Sequence, residues 1–271
     1  MPAQLITGLE EGEGAGYALI CGDPARVPKI ASKLSGPSKV RNTREFNIMA
    51  GTLEGSRVLV ASTGIGGPSA AVLVEELANT GTDTLIRIGT SGGIADGLTK
   101  GDMVISTGAL RRDGTSASYV PEYFPALAHH EIVAALVESA GRSGRNFQVG
   151  LSLSVDGFYS ENRVISTGVL GSMSHNGFML PSSRDSLLDA KEMGVKNIEM
   201  ELGTVLTLTT LWGLRGGGIC LVSDVAPWHP TESIMDPEEG MEACIDTAVD
   251  ALRSVIAADA PARSGRAPTR T

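Results

Sequence analysis

Cysteine is scarce: Cys21, Cys220 and Cys244 are odd in number, far apart and set in apolar surroundings. That usage supports neither a disulfide framework nor a zinc site and points to a reducing, cytoplasmic setting. Basic residues are also short, with 22 Lys and Arg against 31 Asp and Glu and a formal net charge of −9. They are scattered rather than clustered, which argues against a nucleic-acid surface. No run reaches the roughly 18 apolar residues of a membrane span, and the N-terminus has no basic region followed by an apolar run, so neither an anchor nor a leader is expected. His129 and His130 have no cysteine or third histidine nearby and read as surface or capping residues rather than metal ligands. No Pro/Ser-rich linker interrupts the middle of the chain. With 42% hydrophobic residues it reads as a single α/β domain over residues 1–257, followed by a disordered tail, 258–271, of Ala, Pro, Arg and Ser.

What is present centres on Arg57 to Ile94. Arg57 to Ala61 is a short valine-rich strand, Gly64, Gly66, Gly67, Pro68 and Ser69 make a turn, and Ala70 to Asn79 has apolar residues at helical spacing. Leu85 to Ile88 reads as a second buried strand running into a second glycine turn, Gly89-Thr90-Ser91-Gly92-Gly93. Two such turns at the ends of adjacent strands would cradle a small anion, since backbone N–H groups approach a ligand closely where side chains are absent. Glycines after strands are also common in α/β proteins with no ligand there. Arg87, inside an apolar strand, needs a carboxylate or an anionic ligand, and either would satisfy it.

Elsewhere, the strand Tyr17 to Cys21 leads through Gly22-Asp23-Pro24-Ala25-Arg26 into a helix through Lys29 to Leu34. Arg26, in its first turn, is either a second anion ligand or a solvated helix residue. Asp102 to Ser106 opens a β-rich stretch to Tyr119, His130 to about Ser143 is a scaffold helix, and Phe147 to Val155 is a strand. A polar loop with aromatics, Asp156 to Arg163, follows it, and residues 164–183, rich in Gly, Ser and Met, read as a mobile flap. Asn197 to Glu201 reads as a strand with Glu199 and Glu201 on one side, either satisfied by cations and hydroxyls or exposed at a strand edge. A helix then runs to about Trp212. The strand Gly217 to Val222 ends in Ser223-Asp224, where a carboxylate faces a ligand crevice or caps the next element. Met241 to Ile256 is a last amphipathic helix.

The segment Ser62-Thr63-Gly64-Ile65-Gly66-Gly67-Pro68-Ser69, followed by Glu76-Leu77 and Ile86-Arg87-Ile88-Gly89-Thr90, resembles the signature of the nucleoside phosphorylase-I family. The likeness runs from about Gly22 to about Ile256 and is closest to the uridine phosphorylase branch. It implies a mixed, distorted, barrel-like sheet flanked by helices. It implies that phosphate is held by Gly22, Arg26, Arg87 and Thr90, with Arg44 reaching in from a neighbouring subunit. The sugar would meet Thr90, Met200 and Glu201, and Gln4 would stand where relatives bring a histidine from the neighbour's N-terminus. Ser91, Gly92, Phe158, Glu161, Arg163, Glu199 and Asp224 would surround the base. Glu45, Ile65 and Ser69 match residues that hold a monovalent cation, potassium, between subunits.

The reaction so implied is attack of inorganic phosphate on the anomeric carbon of a ribonucleoside, giving ribose 1-phosphate and free base, with Arg87, Glu201 and Asp224 central and no redox cofactor. Two departures point to purine nucleosides ahead of uridine. Glu161 stands nearest the glutamine that reads uracil in relatives, and an ionised glutamate only accepts hydrogen bonds. Asp224 replaces the usual Asn and resembles the acid of purine-specific members, with Pro227 and Trp228 placed to form a lid. Uridine phosphorylase is the alternative; a nucleosidase using water and a nucleoside-binding protein without turnover are the further ones. The partners expected are nucleoside, phosphate and further copies of the chain, with a dimer as the minimum unit and a hexamer from the family likeness.

Overall fold

The computed structural model describes residues 3–166, 169–225 and 240–264, with backbone alone for 163–166, 169–170, 182 and 261–264. In chain order the elements are β1 (Tyr17–Cys21), α1 (Arg26–Ala31), β2 (Ser35–Thr43), β3 (Phe46–Leu53), β4 (Ser56–Ser62), α2 (Gly67–Asn79), β5 (Thr84–Gly93) and β6 (Met103–Arg112). There follow α3 (Gly114–Tyr119), β7 (Ala126–Leu127), α4 (His130–Ser143), β8 (Phe147–Val155), α5 (Phe158–Glu161), β9 (Arg163–Ser166) and β10 (Val169–Ser172). The last are α6 (Ser186–Glu192), β11 (Asn197–Glu199), α7 (Leu202–Leu211), β12 (Arg215–Asp224) and α8 (Met241–Ser264).

β1 is buried at every residue and pairs in parallel with β4 on one side and β5 on the other, as a continuous apolar run should. The main sheet runs β11-β8-β6-β12-β5-β1-β4-β3-β2, and β11 also pairs with β5. That extra pairing closes five strands, β11, β8, β6, β12 and β5, into a barrel with the remaining strands as a wing. Apolar side chains of β1, β4, β5 and β12 pack on α1, α4 and α8 on one face. On the other face Leu73, Val74 and Leu77 of α2 and Val205 and Leu208 of α7 cover the wing. Because β1, β4, β5 and β12 are parallel, their C-terminal ends gather on one side of the sheet, the usual place for a ligand crevice.

The architecture is the α/β barrel-like sheet expected, with local corrections. β4 and β5 are not adjacent, since β1 lies between them. Residues 89–93 form no turn but continue β5, because side chains fill the room that their three glycines leave. A Cβ on Gly92 would meet Ile198 at 3.1 Å, and one on Gly93 would meet Val222 and Val225 at 3.1 Å. Residues 114–119 are helical rather than β, since Asp113 accepts the N–H of Ser116 at 2.7 Å and caps α3. β11 stops at Glu199, so Glu201 sits at the start of α7 rather than on the strand.

α8 runs past Ile256 to Ser264, into the stretch expected to be a disordered tail. Asp259 holds it to the sheet by accepting from Tyr17 Oη of β1 at 2.7 Å and pairing with Arg215 of β12. Residues 265–271 of that tail lie outside the described residues. Within 164–183, β9 and β10 pair as an antiparallel hairpin.

Candidate active site

The strand ends surround a cavity of about 870 Å³. Its floor is set by a side-chain choice made two residues apart on β5: Arg87 folds back over Gly89, where a Cβ would fall 1.7 Å from Nη1. Residues i and i+2 share a face of a strand, so only glycine at 89 lets the guanidinium lie there. Arg87 is 3% exposed, Glu199 4% and Glu201 5%. Arg87 Nη2 pairs with Glu201 Oε2 and lies 3.7 Å from Glu199 Oε2. Burial opposes its charge, but Glu201 and then Glu199 outweigh that and hold the guanidinium protonated well above its ordinary value. Nε of Arg87 has no hydrogen-bond partner among the described residues. The thiol of Cys220, 3.6 Å from Nη1, is pushed up to about 12 by burial and stays neutral.

Glu201 is oriented from the opposite direction by the first glycine turn. The N–H of Gly66 donates to its Oε1 at 2.7 Å, and Gly66 has φ of +91°, a conformation that favours glycine. Gly64, with φ of +70°, also passes so close to Glu45 that a Cβ would sit 2.8 Å from its side chain. The glycine turn therefore shapes a carboxylate as well as an anion cradle. Gly22 and buried Arg26 border the same end of the cavity, with Thr90 on β5 and Met200 beyond β11.

At the other end, Ser91 and Gly92 lie beside Asp224, whose Oδ1 is 3.3 Å from the position of a Gly92 Cβ. A bulge in β12 between Val222 and Asp224 turns that carboxylate inward, and Ser223 Oγ donates to Asp224 Oδ2 at 3.2 Å. Phe158 and Tyr159 form the outer wall, in edge-to-face contact with ring centres 5.2 Å apart. Glu161 does not line the cavity; it pairs with Arg112 at 3.2 Å. Asn162 lines it instead, its Nδ2 donating to the Phe158 carbonyl at 2.7 Å. The side chain of Arg163, and Pro227 and Trp228 entirely, lie outside the described residues.

Three of the expected residues reach the main cavity only at its rim: Glu45, Ile65 and Ser69 line both it and a shallower depression of about 330 Å³. Ser69 Oγ donates to Glu45 Oε1 at 2.9 Å. Arg44 lines the depression, not the main cavity, and sits at the tip of the β2–β3 turn with φ of +54°. Gln4 is likewise on the surface, accepting from Asn79 at 3.2 Å, on a segment that buried Glu76 anchors through the N–H groups of Ile6 and Thr7.

Sequence reasoning passed over Gly66 as the orienter of Glu201, and Ser154, Asn162 and Ser223. Ser152 and Ser154 alternate in β8 opposite Asn197 and Glu199 of β11. Small hydroxyls at a spacing of two in an apolar strand mark an inward polar stripe, and that signal was there to be read.

Residues 17–257 match the family model described as the phosphorylase superfamily. A uridine phosphorylase of Thermococcus kodakarensis is 39% identical over 211 residues, covering 78% of this chain and 73% of the relative. A uridine phosphorylase of Escherichia coli is 40% identical over 205 residues, covering 76% and 78%. A guanosine phosphorylase of Halorubrum lacusprofundi is 35% identical over 214 residues, covering 79% and 80%.

Proposed function

The chain belongs to the phosphorylase superfamily and is a nucleoside phosphorylase, and from that premise we propose that uridine is the nucleoside it cleaves. The observation that carries this reading is the agreement among relatives spanning most of the chain, which bear the name uridine phosphorylase more often than any other. The sequence alone put purine nucleosides first, in part because no amide stood ready to read a uracil edge. Glu161 is instead tied to Arg112, and the carboxamide of Asn162 lines the cavity. A carboxamide both donates and accepts, as a uracil edge with its N–H and carbonyls requires.

In the proposed reaction phosphate is held by Arg26, Arg87, Gly22 and Thr90, completed by Arg44 of a second copy. An oxygen of phosphate bonds to the anomeric carbon as the bond from that carbon to the base nitrogen breaks, the bonding pair leaving with the base. The sugar ring carries positive charge midway, by analogy with glycoside cleavage, and the negative charges of phosphate and Glu201 stabilise it. The departing base is neutralised by donors at the far end of the cavity. Because Arg44 is outside its own chain's main cavity, the minimum active unit is a dimer. Glu45, Ile65 and Ser69 supply one carboxylate and neutral oxygens, a donor set that suits a hard monovalent cation such as potassium, whose charge would brace that interface.

The test is kcat/KM for uridine, inosine and guanosine at saturating phosphate. Uridine preferred by tenfold or more supports the reading. Purine preference, lost in Asp224→Asn, would support the second reading, which the inward carboxylate of Asp224 favours.

A further inference from the structure

Glu199 borders the cavity, but its bonds run the other way. Oε2 accepts the backbone N–H groups of Glu201 and Leu202, both at 2.9 Å. Oε1 accepts from Ser154 Oγ, and Ser154 Oγ accepts the N–H of Gly203 at 2.6 Å. Three consecutive N–H groups at the start of α7 are thus satisfied by one carboxylate and its hydroxyl relay. These are groups that a helix leaves without internal partners, at the end where its dipole favours negative charge. An ionised carboxylate accepts about four hydrogen bonds. Three of those sites are taken by the N–H groups of Glu201 and Leu202 and by Ser154 Oγ, and Arg87 Nη2 stands 3.7 Å from Oε2, so most of the acceptor capacity of Glu199 is spent inside the protein rather than on a sugar hydroxyl or a base.

The second observation is charge. Within the trio of Arg87, Glu199 and Glu201 one guanidinium faces two buried carboxylates, so with both ionised these three groups carry a net negative charge before any phosphate arrives. Burial, together with the neighbouring Glu201, raises the Glu199 carboxyl above its ordinary value against the pull of Arg87. Phosphate must add further negative charge at the same guanidinium.

We propose that Glu199 is a positioning residue rather than a ligand of base or sugar: it fixes Glu201 at the start of α7 and limits how much of the Arg87 charge is available to phosphate. Glu199 thereby couples the two halves of the site. Its charge weakens phosphate binding, and its hydrogen bonds hold Glu201 where ribose hydroxyls can reach it. The inference rests on the phosphorolysis reading above.

The experiment compares wild type, Glu199→Gln and Ser154→Ala at pH 8, varying uridine and phosphate independently and measuring phosphate binding by calorimetry. Glu199→Gln keeps the shape and removes the charge, so the phosphate KM and Kd should fall about threefold while the uridine KM rises about tenfold. Ser154→Ala keeps the charge and loosens the carboxylate, so the uridine KM should rise a few-fold with phosphate unchanged. A Glu199→Gln enzyme with a raised uridine KM and unaltered phosphate binding would make Glu199 a direct nucleoside ligand. Parallel weakening of both substrates with a lowered Tm would make it merely structural; either result overturns the proposal. Should Glu199→Gln not fold, Ser154→Ala decides: an unchanged uridine KM contradicts the inference and a raised one with unaltered phosphate binding supports it. Wild type that binds phosphate but cleaves no nucleoside would remove the phosphorolysis reading instead, and the calorimetric comparison would still judge Glu199.

Discussion

Where Arg87, Glu199 and Glu201 meet, with Arg26 bordering the same cavity, the charged groups are almost wholly buried, and backbone N–H groups hold both carboxylates in place. At the opposite end of the same cavity Phe158 is 47% exposed and Tyr159 63%, and the Arg112–Glu161 pair beside them is partly open to water. The first end is rigid because buried charge is tolerated only when every partner is fixed. The second rests on a four-residue helix and a hairpin, elements with few contacts to hold them. In the reaction proposed above, the chemistry of phosphate and ribose falls to the rigid end and the choice of base to the adaptable one.

That contrast breaks first at Arg87. Arg87→Ala should lower phosphate-dependent turnover by about a thousandfold and leave Glu199 and Glu201 as unpaired buried charges, destabilising the fold by about 3–5 kcal/mol. Phosphate saturation kinetics and denaturant unfolding check both; an unchanged phosphate KM would place Arg87 outside the site. Gly89→Ala should cost about a hundredfold, because the added methyl displaces the guanidinium without removing it. A fully active Gly89→Ala enzyme would show that Arg87 need not lie over the strand.

At the adaptable end the effects should be smaller and confined to the nucleoside. Asn162→Ala should raise the uridine KM about tenfold with the phosphate KM unchanged. Equal losses toward both substrates would erase the division between the two ends. Glu161→Gln should change kcat/KM by no more than about threefold, since a partly exposed ion pair with Arg112 is worth little. A loss beyond tenfold, specific to one base, would return Glu161 to the role its sequence position suggested.

The same division explains what the sequence discloses. β1, β4 and α4 follow from short apolar runs and helical periodicity, and the cluster of Arg87, Glu201 and the first glycine turn follows from motifs of fixed spacing. The barrel closure does not, because the β11–β5 pairing joins residues about a hundred positions apart and looks like a loop locally. Gly89 to Gly93 read as a turn for the same reason: the space beside Gly92 is occupied by Ile198 of β11 and Asp224 of β12, and that beside Gly93 by Val222 of β12 and Val225 just after it. Asn162 escaped notice because one residue of register at the end of α5 decides which side chain meets Arg112 and which meets the cavity.

The most direct test of the account is the rate of uracil release from uridine as inorganic phosphate is varied, with the sugar product identified. The account predicts release that saturates with phosphate and rises from a negligible rate without it, yielding one ribose 1-phosphate per uracil. Release at the same rate without phosphate, yielding free ribose, would contradict it.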